Sequence, residues 1–164
     1  MKEKSSNKKY YQIIKIQNKD ILILQDGKFI IKISYNLNFA EGENKETEII
    51  QNTVNQLKEY LCGERKIFDV PIMPIGTKFQ KTVWNCLKTV EYGKTMTYKQ
   101  IAVAIGKPNA CRAVGNANNK NPISIIIPCH RIIGTNGKLT GYAGGLDIKE
   151  FLLNIEKNVH KACQ

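Results

Sequence analysis

Two Thr-x-x-Gln sequences, Thr77 to Gln80 and Thr97 to Gln100, each head an apolar pattern of helical period. Together they constrain the second half of this chain more than any other feature. In such a box the threonine hydroxyl accepts from a backbone N–H three residues on, and the glutamine reaches back to the cap N–H. The first box opens a helix carrying Phe79, Val83, Leu87 and Val90. The second opens a helix over 98–105 that Gly106 can close. Pro108 then breaks the chain, Asn109 is placed to cap, and 110–118 is expected to be helical.

Two short helices joined by Gly106-Lys107-Pro108-Asn109 have the form of a helix-turn-helix, whose second helix lies along DNA while the first braces it. A plain αα-hairpin has the same pattern. The small residues Ala110, Ala113, Gly115 and Ala117 give the second helix few base-reading side chains but allow close approach. With Arg112 as its one arginine, it suits a narrow minor groove better than direct sequence readout.

Downstream, Pro122 opens the apolar run 123–127, which leads into Pro128-Cys129-His130-Arg131. Thr135-Asn136-Gly137 reads as a turn, and Gly141-Tyr142-Ala143-Gly144-Gly145 as a flexible loop. A last helix is expected over 147–158, burying Ile148, Phe151, Leu152 and Ile155, with Asp147 and Glu150 placed as its capping box.

The first third reads differently. Segments 10–16, 21–25 and 28–35 are rich in Ile, Leu, Phe and Tyr, and Asp26-Gly27 is a hairpin-turn dipeptide. A polar loop over 36–45 and a helix over 46–62 follow, the helix carrying Ile50, Val54, Leu57 and Leu61 and ending at Gly63. Pro71 and Pro74 make 65–76 an extended connector. The fold class is therefore α+β: a small antiparallel-sheet domain over 1–75, then a mainly helical domain with the helix-turn-helix over 76–164.

A chain of 164 residues can bury roughly 70% of its surface, enough for a core without disulfides. No apolar run reaches the roughly 18 residues of a membrane span, and lysines without an apolar stretch behind them make no secretory signal. A soluble chain with no membrane partner is expected, cytoplasmic or, in a eukaryote, nuclear. Its net charge of +11 is unevenly placed: 1–75 holds 12 basic and 10 acidic residues, whereas 76–164 holds 13 and 4. The C-terminal part thus suits a polyanion, although lysine-rich composition alone gives the same balance.

The five cysteines, at 62, 86, 111, 129 and 163, form no CxxC pair, so reduced thiols are expected. With only His130 and His160 to join them, structural zinc is not expected. Cys129 stands out, because the adjacent His130 and Arg131 can favour its thiolate. A carboxylate holding the histidine would complete a relay. Of the two on the last helix, Glu150 already has a capping place, which leaves Glu156.

The strings FQKTVW, YGKTMTYKQIA, RAVGNA, NPISIIIPCHRII, GYAGGL and LLNIE resemble the O6-alkylguanine-DNA alkyltransferase family, continuously from about Gly76 to Glu156. The resemblance implies a ribonuclease-H-like N-terminal domain. It further implies a repair protein that flips O6-alkylguanine, and also O4-alkylthymine, out of duplex DNA and moves the alkyl group irreversibly to its own cysteine. By the same resemblance Cys129 would be the acceptor, His130 would draw off its proton through a water, and Glu156 would polarise that histidine. Asn121 would brace the network. Tyr98 would help turn the nucleotide out and protonate the departing guanine. Arg112 would fill the space the base leaves, on a helix whose Ala113 and Gly115 permit close approach. Tyr142 and Ala143 would line the base pocket.

No cofactor or metal is implied, and the zinc site of some relatives is not expected because no Cys or His precedes Cys62. A monomer acting on double-stranded DNA without a protein partner is expected. Non-catalytic relatives that only flag damage carry tryptophan at the acceptor position, so Cys129 argues against that reading. An unrelated cysteine hydrolase would turn over repeatedly, and a regulator would bind DNA without needing Cys129.

Overall fold

The computed structural model describes residues 8–158. His160 and Cys163 lie outside them. Strands β1 (Lys9–Ile16), β2 (Lys19–Asp26) and β3 (Phe29–Ser34) form an antiparallel meander, with Ile14 opposite Ile21 and Leu22 opposite Ser34. Gly27, at φ 57°, makes the second turn in a conformation that suits glycine. Strand β2 is buried on both faces. Ile21 and Ile23 enter the main core, while Leu22 and Leu24 are buried on the opposite face.

The segment 36–45, expected as a polar loop, is more ordered than that. It holds a 3-10 turn, Leu37–Phe39, and a two-residue strand β4 (Glu43–Asn44) parallel to β1, giving the sheet order β3-β2-β1-β4. Backbone pairing at an edge needs no apolar side chains, and the exposed Glu43 keeps that edge charged.

Helix α1 (Glu48–Leu61) starts two residues later than the periodicity suggests, because Thr47 caps it by accepting from Ile50 N at 3.2 Å. It buries the expected Ile50, Val54 and Leu57, and also Thr53, Gln56 and Tyr60. Cys62, at its end, is disulfide-bonded, which departs from the expectation of reduced thiols; Cys86, Cys111 and Cys129 are free. The connector is extended as expected, yet it is not loose. Ile30 N donates to Pro71 O, and Met73 N to Ile30 O, which adds a bridge at the edge of β3.

Both threonine boxes form. Helix α2 (Lys78–Leu87) is capped by Thr77 and Gln80, and α3 (Tyr98–Ala104) by Thr97 and Gln100. Before α3 runs β5 (Met96–Thr97), paired in parallel with β6 (Ile132–Ile133). Helix α4 (Cys111–Asn119) follows the turn, but Ala110 occupies its cap position and makes no side-chain cap bond. The chain turns one residue later than the Asn109 reading placed it, because Ala110 N already closes on Lys107 O. Helix α5 (Leu146–Lys157) likewise starts at Gly145, at φ 95°, so Asp147 lies in the first turn and Glu150 closes no box.

One hydrophobic cluster runs through both halves, from Ile23, Ile33, Leu57 and Tyr60 to Val83, Trp84, Val114, Ile127 and Leu152. β3 is the bridge: Ile33 N donates to Pro122 O, and Ser124 N to Ile33 O. Trp84, 1% exposed, anchors α4 by donating from Nε1 to Ala117 O at 2.8 Å. Truncating such a residue to alanine typically costs about 3–5 kcal/mol. Among the described residues, no helix is long and apolar enough to cross a membrane.

Candidate active site

The run 123–127 is a tight turn at the bottom of the site. Ile127 N closes on Ile123 O, and Ile125 is held at φ 74° while 1% exposed. A β-branched residue in that region costs of order 1–3 kcal/mol, which the surrounding apolar packing must offset. The turn delivers Cys129 into a short 3-10 segment, Cys129–Arg131, with the thiol buried.

Asn121 holds the thiol from the side. Its Nδ2 lies 3.0 Å from Cys129 Sγ and 2.8 Å from Ile127 O, while its Oδ1 accepts from Ile123 N. From α4, Asn118 reaches Cys129 O at 3.4 Å. Burial pushes the Cys129 thiol up, and the Asn121 hydrogen bond and Lys149 charge only partly oppose it. The resting group is therefore a thiol. This differs from the sequence argument, which had Arg131 favouring the thiolate. Arg131 turns away, to Val90 O and Glu156.

His130 and Glu156 come together as expected. His130 is wholly buried, with Nε2 2.8 Å from Glu156 Oε1 and Nδ1 without a hydrogen-bond partner. Burial lowers the His130 pKa, against the pull of Glu156, so the ring is neutral near pH 7. Burial also opposes the charge of Glu156, but His130 and Arg131 outweigh it and hold the carboxyl at about 2. Arg131 reaches both carboxylate oxygens from Nε, at 3.1 and 3.0 Å, and Oε1 again from Nη2 at 2.9 Å. Gly93 N adds a bond to Oε2. A carboxylate so held stays ionised, and His130 Nε2 must present it a proton. Nδ1 is then a free acceptor.

The residues expected on the DNA side occupy the opposite face of α4. Arg112 and Ala113 are exposed, whereas Val114, Ala117 and Asn118 are buried. Gly115 faces Tyr98: a Cβ added there would meet the ring at 3.7 Å, ordinary contact. Tyr98 donates to Thr140 O at 3.2 Å. Between these elements lies a cleft of about 440 Å³, lined by Tyr98, Arg112, Gly115, Asn119, Thr140 and Gly141 among others. Tyr142 is half-buried and Ala143 exposed. Among the described residues, no group of three or more His, Cys, Asp or Glu side chains converges as metal ligands would.

Three contributors, Tyr60, Lys149 and Tyr35, have no motif to reveal them, and Arg131, inside the motif, serves a different partner. Tyr60, on α1, places its hydroxyl 2.6 Å from Glu156 Oε1. Arg131 had been read only as a neighbour of the thiol. Lys149, fully buried, donates from Nζ to Ile132 O and Thr140 O, and burial brings its pKa down to about 8. Tyr35, just past β3, meets Tyr142 hydroxyl to hydroxyl at 3.4 Å with the rings edge-on. An amphipathic pattern reports that Tyr60 is buried, and nothing in it reports what the hydroxyl touches.

Residues 78–158 match the model of the 6-O-methylguanine DNA methyltransferase DNA binding domain. A methylated-DNA–protein-cysteine methyltransferase of Methanosarcina acetivorans is 50% identical over 156 residues, covering 90% of this chain and 97% of the relative. The constitutive enzyme of that name from Bacillus subtilis is 50% identical over 120 residues, 73% of each chain. Among solved structures, Mycobacterium tuberculosis O6-methylguanine methyltransferase superposes with a TM-score of 0.84 at 39% identity, covering 94% and 96% of the two chains. The M. tuberculosis OGT in complex with DNA gives 0.85 at 40%, covering 92% and 94%. Similarity of that depth over nearly the whole length, around a buried cysteine, histidine and glutamate, places the chain in the methylated-DNA–protein-cysteine methyltransferase family.

Proposed function

We propose that this protein repairs double-stranded DNA by taking the alkyl group from O6 of guanine, or from O4 of thymine, onto Cys129, once per molecule. The observation that carries the reading is a buried thiol, held by Asn121, next along the chain to a buried, neutral His130 whose Nδ1 has no hydrogen-bond partner. The thiol proton passes through a water to Nδ1, and Glu156 steadies the imidazolium. The sulfur then bonds to the alkyl carbon as the carbon–O6 bond breaks, and its electrons remain on guanine. Tyr98 gives guanine a proton as it departs. The thioether offers no leaving route, so the reaction stops after one transfer.

A base inside the stack is out of reach, and extruding it costs a few kcal/mol. Arg112 on the exposed face of α4 fills the gap, while Ala113 and Gly115 let the helix come close. Tyr142 and Ala143 line the pocket that receives the base. DNA contact and transfer belong to 76–164, a division supported by the family match beginning at residue 78. The protein acts as a monomer, without a cofactor, in the cytoplasm or in the nucleus of a eukaryote.

The test is the intact mass after incubation with a duplex carrying one O6-methylguanine, followed by peptide mapping. One methyl group on Cys129, and no more per molecule, is the expected result. No gain with tight lesion binding would instead make the protein a damage flag.

A further inference from the structure

We propose that Tyr60, from the N-terminal half, is a positioning residue of the transfer relay, its hydroxyl holding Glu156 and His130 so that His130 Nδ1 stays the open proton acceptor. The inference rests on the reading of Cys129 as acceptor and gives the N-terminal domain a part in the chemistry.

Tyr60 is 0% exposed. Its ring lies against Phe68, with centroids 5.4 Å apart, and edge-on to Tyr92 at 6.0 Å, so packing fixes where the hydroxyl points. That hydroxyl is 2.6 Å from Glu156 Oε1 and 3.2 Å from His130 Nε2, while Nε2 is itself 2.8 Å from Oε1. Three polar atoms thus form a closed triangle.

The protons in it can be assigned. Arg131 and Gly93 N hold Glu156 ionised, so Oε1 only accepts. The phenol gives its one proton along the short edge to Oε1. Nε2 must then carry the second proton, because a bare lone pair 2.8 Å from a carboxylate is repelled. The phenol oxygen also accepts weakly from this Nε2–H. Both His130 protonation states therefore keep Nε2–H, and only Nδ1 changes.

The short bond to Oε1 has a second effect. It withdraws charge from the carboxylate, which limits how strongly Glu156 pulls a proton onto His130. Removing the hydroxyl also removes the acceptor 3.2 Å from Nε2, but the shorter contact dominates. The other charged or titratable groups around His130 are Arg131, Cys129, Lys149 on α5 and Tyr92 after α2.

The test compares Tyr60→Phe, which keeps the ring, with Tyr92→Phe, a control that alters a packing neighbour outside the triangle. With two histidines in the chain, ¹⁵N-imidazole labelling reads the His130 tautomer and titration directly. In Tyr60→Phe the His130 midpoint is expected to rise by about one unit, and the acid limb of the single-turnover transfer rate should rise with it. Tyr92→Phe should move neither. A folded Tyr60→Phe protein with unchanged midpoint and unchanged acid limb would overturn the proposal and leave Tyr60 a packing residue. The nuclear magnetic resonance readout needs no alkyl transfer. If wild type fails to methylate Cys129, the proposed function falls, while the titration still decides whether Tyr60 sets the state of His130.

Discussion

Asn121 Nδ2 sits 3.0 Å from Cys129 Sγ and 2.8 Å from Ile127 O, so one amide orients the thiol and pins the turn that carries it. Its Oδ1 meanwhile accepts from Ile123 N at the turn's other end. Asn121→Ala removes three hydrogen bonds and leaves Ile123 N without a partner, while Ile127 O keeps the bond from Cys129 N. We expect a loss of about 2–3 kcal/mol in stability, read from denaturant midpoints. The transfer rate should fall about tenfold or more, because the thiol loses its fixed direction. A rate loss no larger than the unfolded fraction explains would reduce Asn121 to a structural brace.

Acid should destabilise the fold in two steps. Burial lowers the His130 pKa below its ordinary 6.5, so between those two values the unfolded chain binds a proton that the native state refuses. Stability is then expected to fall as pH drops below about 6.5. Glu156 shows the depressed-carboxylate case: its stabilising charge is present above the ordinary value of 4.5 and is lost as pH falls toward about 2. Unfolding midpoints measured from pH 8 to 3 should show both steps. Glu156→Gln should abolish the lower one, and a lower step that survives in that variant would assign it to other carboxyls.

What the sequence made legible follows from how local each signal is. Both threonine boxes are four-residue patterns, and both formed. Glu156 was reachable by elimination, although the ground for setting Glu150 aside was mistaken, since Gly145 rather than Asp147 precedes α5. The contacts that cross the chain left no such trace. Tyr60 meets Glu156 across 96 positions and Tyr35 meets Tyr142 across 107, and each looks locally like an ordinary core aromatic. Arg131 was misread because adjacency in sequence says nothing about direction: neighbouring side chains along an irregular segment point apart. Strand β4 was missed because two polar residues at an edge carry no alternation.

Arg112 projects from the exposed face of α4 and makes no ion pair among the described residues. Arg112→Ala should therefore change stability by no more than about 0.5 kcal/mol. Its proposed role is to occupy the space of an extruded base. Transfer from duplex substrate should slow markedly, while transfer from a single-stranded oligonucleotide, which needs less unstacking, should be nearly unchanged. Equal slowing on both substrates would mean that the arginine serves general phosphate attraction. That role has its own signature, a reduced dependence of affinity on salt.

Gly144 shows how tightly the N-terminal half supports the glycine-rich loop. A Cβ built there would lie 2.8 Å from two carbons of the Tyr35 ring and 3.0 Å from a third, closer than side chains tolerate. Tyr35 cannot readily retreat, because its ring is edge-on to Tyr142 and its hydroxyl touches that residue's. Gly144→Ala is thus expected to cost about 1–3 kcal/mol by overpacking and to slow transfer by displacing Tyr142. Tyr35→Ala removes the obstruction at the expense of its own packing. Because the two residues share one contact, their effects should not add, and the double variant should be more stable than the two single losses predict. A double-mutant cycle with thermal unfolding and transfer rate measures that difference. Strict additivity would mean the loop shifts freely away from Tyr35, and the support for Tyr142 would then have to come from its own segment.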